Sequence, residues 1–171
     1  MGSDPMATAQ LISVEEYLHT SFEYDAEYVE GRIVQRPLPQ RRHSMMQSWL
    51  NRALYAAGRP SGYRVWVEQR IRTQRQPARF RIPDVCVTLG DPGVEIFTSP
   101  PFLCVEVLSP VESAIELQAK LSEYLRFGVS YVWVIDPASN TGEIHTAERI
   151  ERIDNGRFTA GPFEVDLKDI D

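Results

Sequence analysis

Cysteine is nearly absent from this chain of 171 residues: Cys86 and Cys104 are its two thiols. Each lies in an apolar run, their spacing matches no metal motif, and they read as buried thiols of a reducing compartment. No apolar run approaches the roughly 20 residues needed to span a bilayer, and the N-terminus lacks the basic-then-apolar order of a secretion signal. The expected location is cytoplasmic, without membrane contact. Met1–Pro5, ahead of Met6, reads as a cloning remnant, leaving residues 6–171 as one domain. There are no internal repeats, heptads or low-complexity tracts. A phosphate-cradling glycine loop is also missing, and no Gly-x-Ser-x-Gly turn surrounds Ser109, which argues against acyl-transfer chemistry.

Lysine is missing from the middle of the chain. Between Arg36 and Arg81 stand eleven arginines, no lysine and one acid, Glu68, although the whole chain carries a net charge of −6. Arginine suits phosphate because its planar fork bonds bidentately. The segment therefore suggests a phosphate-binding surface that includes Arg42, Arg70 and Arg72. The plainer alternative is a solvated basic face with scattered ion pairs, because a sequence segment need not form one patch in space.

The chain alternates helical and strand patterns. Ser13 with Glu16 forms a capping box opening a helix over Val14–His19. Tyr28–Gln35 reads as a strand broken by Gly31. Ser44 with Gln47 marks the start of a second helix, along which Met46, Trp49, Leu50, Ala53, Leu54 and Ala57 recur at helical spacing until Gly58. Tyr63–Arg72 alternates as one strand with a wet face, where Glu68, Arg70 and Arg72 suggest ion pairing. Arg81–Thr88 and Phe102–Leu108 are apolar enough for central strands, and the Gly- and Pro-containing segment between them allows an antiparallel return. Ser113 with Glu116 opens a helix over Ala114–Phe127, closed by Gly128. Tyr131–Asp136 follows as a buried strand. The strand, helix, strand order predicts a parallel, right-handed crossover. Glu143–Thr146, Arg149–Ile153 and Arg157–Ala160 complete the set as short strands, with Asn155-Gly156 as a hairpin turn.

Antiparallel pairing of the two central runs with Asp84 opposite Glu106 also sets Cys86 opposite Cys104. Both carboxylates then share a sheet face, with Cβ atoms about 4.5–5.5 Å apart. Two neighbouring buried anions repel unless a cation lies between them. Mg²⁺ or Mn²⁺ would serve, with the Val107 carbonyl as third ligand, and would activate water for attack on a phosphodiester. Lys120 borders the apolar stripe of its helix, so its amine can reach across the sheet to position or deprotonate the attacking water and to offset charge on the phosphoryl group. A surface pair with Glu116 is the alternative for Lys120. His43 reads equally as a phosphate contact, a proton shuttle or a helix cap, while His19 and His145 have no partners at ligand spacing.

Four stretches carry a family resemblance: Ile82-Pro83-Asp84-Val85, Val105-Glu106-Val107-Leu108-Ser109-Pro110, Lys120-Leu121 followed by Tyr124 and Gly128-Val129, and Trp133-Val134-Ile135-Asp136-Pro137. In this order they resemble the Uma-two restriction endonuclease family, within the PD-(D/E)xK nuclease superfamily. Upstream, Glu27-Tyr28-Val29-Glu30-Gly31 looks like the family's Glu-Leu-Ile-Asp-Gly element, and His43 like the histidine opening its first long helix. The resemblance runs from about Ser13 to Pro137. It implies an α/β fold with a restriction-endonuclease-like core: a mixed central sheet flanked by helices, here with extra short C-terminal strands. It also implies that Asp84 and Glu106 hold the metal, that Glu27 adds a carboxylate, and that Lys120 replaces the superfamily lysine, since Leu108 stands where Glu-x-Lys would place it. The expected activity is that of a Mg²⁺- or Mn²⁺-dependent endonuclease acting on nucleic acid, with DNA as the substrate. The alternative is a nuclease fold that binds DNA without cutting it. A homodimer is a reasonable expectation because duplex cleavage requires two cuts.

Overall fold

In the computed structural model, residues 11–170 are described, so the reading of Met1–Pro5 lies outside the described residues. Ser13 caps α1 (Val14–His19) by accepting a hydrogen bond from the Glu16 amide at 3.0 Å. The next run is a hairpin, β1 (Ala26–Val29) and β2 (Arg32–Gln35), instead of one broken strand. Glu30 and Gly31, both at positive φ, form its turn, a conformation that reverses the chain tightly and that glycine adopts without penalty. Helix α2 (Arg41–Gly58) starts three residues before Ser44, and Gln40 precedes it without a side-chain cap. Ser44 lies within its first turn, donating its amide to the Gln40 carbonyl.

The predicted strand Tyr63–Arg72 is two strands, β3 (Tyr63–Val67) and β4 (Ile71–Gln74), which belong to different sheets. Between them Glu68 takes a positive φ and turns the chain. The run around Pro83 divides in the same way. It becomes β5 (Arg79–Arg81) and β6 (Val85–Leu89), so Asp84 precedes its strand instead of lying within it. Proline has no N–H for a ladder, which ends pairing at this point. The two crossings are tied together by a hydrogen bond from the Glu68 amide to the Asp84 carbonyl at 3.2 Å.

Strands β7 (Leu103–Val107), β8 (Tyr131–Asp136), β9 (Thr141–His145) and β10 (Ile150–Ile153) complete a six-stranded sheet in the order β10-β9-β8-β7-β6-β3. The expected register holds: Cys86 pairs with Cys104 across antiparallel β6 and β7, while β7 and β8 run parallel. Their crossover is α3 (Ala114–Phe127), capped by Ser113 and closed by Gly128 in the left-handed region. A four-stranded sheet has the order β2-β1-β5-β4. Strands β11 (Arg157–Ala160) and β12 (Phe163–Asp166) pair with each other. Asn155-Gly156 therefore links strands of two sheets and closes no hairpin, and β12 extends beyond the predicted set.

Alternation sorts the six-stranded sheet into two faces. Val85, Val87, Leu103, Val105, Val107 and Trp133 pack with Leu50 and Leu54 of α2 and with Phe158 and Phe163 of the C-terminal strands. Cys86, Cys104, Val132 and Val134 pack with Leu121 and Tyr124 of α3. The period of two thereby places Glu106 on the α3 face. No described helix is long and apolar enough to cross a membrane.

Gly142 pairs with Ile135 where β8 meets β9, and a Cβ there would lie 1.9 Å from the Val134 carbonyl oxygen. Gly142→Ala is expected to destabilise the fold by about 1–3 kcal/mol or more, as overpacking does, read as a lower urea midpoint with an unchanged slope.

Candidate active site

The chain crossings at 68–70 and 82–84, the end of β7 and the buried face of α3 surround one cavity of about 430 Å³, whose lining includes Glu27, Arg36, His43, Asp84, Glu106 and Lys120. Asp84 is 2% exposed. Its Oδ2 accepts the Val107 amide at 2.7 Å and faces His43 Nε2 at 3.3 Å, while Oδ1 meets Arg36 Nη2. The Gln47 side chain donates to the Asp84 carbonyl at 3.0 Å. Burial alone would raise the Asp84 pKa, but His43 and Arg36 outweigh it and hold the carboxyl below its ordinary value. In return, the hydrogen bond to Asp84 raises the His43 pKa.

Glu106 is held from α3. Lys120 Nζ donates to Oε2 at 2.9 Å and the Tyr124 hydroxyl donates to Oε1 at 2.8 Å, as positions 120 and 124 lie one turn apart. The same ammonium lies 2.9 Å from Glu27 Oε1, so Lys120 joins carboxylates from two sheets and makes no surface pair with Glu116. Burial pushes the Glu106 pKa up to about 7 against the pull of Lys120. Burial lowers the Lys120 pKa, but Glu106 and Glu27 more than reverse this, and the amine stays protonated.

Glu27 also accepts the Ile82 amide at 2.9 Å and Arg81 Nη1 at 3.0 Å. Arg81 then grips Glu123, with Nη2 to Oε2 at 2.8 Å, and Glu123 takes Arg79 Nη1 at 3.1 Å and the Thr73 hydroxyl. Burial opposes ionisation of Glu27, but Lys120 and Arg81 overcome it and lower its pKa.

The remaining candidates lie outside this cluster. Arg42 is exposed beside an adjoining cavity that it lines with His43, Ser109 and Asp136. Arg70 lies over the Tyr17 ring at 4.9 Å and Arg72 over Phe80 at 5.4 Å. Sequence reasoning missed Arg36, Tyr124 and Glu123 as parts of the cluster. The i, i+3, i+4 spacing of Lys120, Glu123 and Tyr124 was a usable signal for two of them. Arg36, at the end of a hairpin, carried no such mark.

Among the described residues, no three His, Cys, Asp or Glu side chains are grouped as a metal cage. The donor set still fits one hard cation. Asp84 and Glu106 present carboxylate oxygens to a common cavity, and a guanidinium already lodges against Asp84, with Asp25 Oδ2 at 3.7 Å and Glu68 Oε1 at 3.9 Å.

Truncating Glu123→Ala would leave Arg79 with Glu30 and the buried Arg81 with Glu27 as their remaining carboxylate partners, and the loss of one partner from a buried ion-pair network is expected to cost up to about 3 kcal/mol in urea unfolding. Glu106 predicts a pH dependence. Its folded pKa of about 7 exceeds the ordinary 4.5, so the stability it contributes is complete below pH 4.5 and is lost as pH rises through 7. His43 acts with the same sign at higher pH. In chelator, Glu106→Gln should therefore lose less stability between pH 5 and 8 than wild type, measured by urea midpoints.

The Uma2 family model, described as "Putative restriction endonuclease", matches residues 14–163. A comparison with curated proteins gives no match. Among solved structures, a nuclease described as putative and as belonging to DUF820, from Anabaena variabilis, superposes with a TM-score of 0.81 at 25% identity, covering 93% of this chain and 97% of that one. The mixed central sheet with flanking helices and C-terminal strands agrees with that restriction-endonuclease-like neighbour. The family match spans nearly all of the described fold, including every carboxylate and the amine of the cluster, and the chain belongs to the Uma2 family of nuclease-related proteins.

Proposed function

We propose that the chain is a Mg²⁺- or Mn²⁺-dependent endonuclease that hydrolyses phosphodiester bonds in DNA. The observation that carries this reading is the convergence of Asp84 and Glu106 on one cavity, with the Lys120 ammonium 2.9 Å from Glu106. Asp84, Glu106 and the Val107 carbonyl would hold the ion. When bound, it supplies Lewis acidity to the phosphoryl group and lowers the pKa of water.

The chain's own residues have separate tasks. The Val107 amide orients the Asp84 carboxylate. Tyr124 fixes the rotamer of Glu106 by occupying Oε1. Lys120 is clamped from both sides and retains its proton, which suits it to stabilise charge on the phosphoryl oxygens and not to act as a base. Glu27 keeps that amine in place. His43, beside Asp84 at the start of α2, and the exposed Arg42 would meet phosphates flanking the scissile one. Arg70 and Arg72 would meet more distant phosphates only by leaving their rings. A homodimer would supply the second cut needed to break a duplex.

The test is nicking of supercoiled plasmid in Mn²⁺ with folded wild type, Asp84→Ala and Lys120→Ala. Each substitution is expected to lower the rate at least about 10²-fold, the usual scale of a positioned catalytic group. Equal cutting by all three would identify a contaminant. Tight duplex binding without nicking would instead select the non-cleaving alternative.

A further inference from the structure

Arg36 is the cation in the cavity best placed to leave it. Lys120 is 6% exposed and fixed between two carboxylates on the inner face of a helix. Arg81 is locked by Glu27 and Glu123. Arg36 instead follows the last residue of β2, at the head of the non-helical stretch Pro37–Pro39 that leads to α2. Its amide is anchored to the Asp25 carbonyl at 3.0 Å, so its guanidinium can move by side-chain rotation alone. One close partner, Asp84, holds it, while Asp25 and Glu68 stand at 3.7 and 3.9 Å and are about half exposed.

Arginine cannot shed its proton to relieve a charge conflict. A divalent ion bound to Asp84 and a guanidinium on the same carboxylate repel, so one must displace the other. Eight acids line the cavity against Arg36, His43, Arg81 and Lys120, and this surplus of anions favours the doubly charged ion once it is available.

Resting on the reading of Asp84 and Glu106 as the metal pair, we propose that Arg36 is the resident counter-ion of the metal site, competing directly with a divalent cation for Asp84 and thereby setting the metal concentration at which the site loads. Arg36 then acts as an internal gate on loading, independent of nucleic acid.

Isothermal titration of Mn²⁺ alone into wild type, Arg36→Gln and Arg36→Lys, each checked for folding by circular dichroism, tests this. Arg36→Gln removes the competing charge and should bind Mn²⁺ at least tenfold more tightly, with Arg36→Lys close to wild type. Equal or weaker binding by folded Arg36→Gln overturns the proposal. If Arg36→Gln fails to fold, titrating wild type with Mn²⁺ at rising guanidinium chloride, kept below the unfolding range and matched against NaCl, replaces it. Specific competition by guanidinium supports the proposal, and an identical response to both salts overturns it. Absence of Mn²⁺ binding in all the proteins also overturns it. Plasmid nicking by wild type, scored separately, shows whether the nuclease reading falls with it.

Discussion

The arrangement hinges on one buried amine. Lys120 reaches from α3 to Glu106 on the six-stranded sheet and to Glu27 on the four-stranded one, each at 2.9 Å. Taking a single charge out of water costs several kcal/mol. The three groups tolerate burial because each is balanced by the next, and the alternation continues through Arg81, Glu123 and Arg79 to Glu30 near the surface. Shifting α3 by one residue would turn Lys120 away and leave two carboxylates uncompensated. The bridge therefore fixes the register of a helix against two sheets, which apolar packing alone specifies less sharply.

The arginine-rich segment has an internal explanation beside its expected external one. Arg36, Arg79 and Arg81 are spent on carboxylates, while Arg59, Arg70 and Arg72 lie over aromatic rings. Only part of the segment's charge remains to face a polyanion. The segment is basic largely because the acids it pairs with, Glu27, Glu30 and Glu123, lie outside it in sequence. Net charge per segment thus reported complementarity within the fold as much as affinity for a partner.

Much of the fold and of the cluster was legible from local rules. The α3 caps, the parallel crossover and the Cys86–Cys104 register followed from capping chemistry, handedness and a period of two. The errors were concentrated where the chain changes sheets. An alternating run such as Tyr63–Arg72 keeps its pattern through a corner, because side-chain periodicity carries no information about which neighbour a strand pairs with. Glu68, turning at positive φ, and Asp84, freed from the ladder by Pro83, were accordingly placed inside strands they only adjoin. Arg36 was illegible for a related reason: its role comes from contacts far away in the chain, with Asp84 forty-eight positions on.

All the polar groups of the cavity lie between Glu23 and Lys120, whereas the sheet face opposite α3 is closed partly by Phe158, Ala160, Phe163 and Val165 near the end of the chain. On the ribosome, the charged cluster therefore emerges well before the hydrophobic lid of its supporting sheet. A nascent polypeptide that has reached Lys120 holds every acid and base of the cavity but lacks the packing that braces β6 and β7 beneath them. Docking of residues 157–166 is thus a condition for bracing the sheet beneath the site.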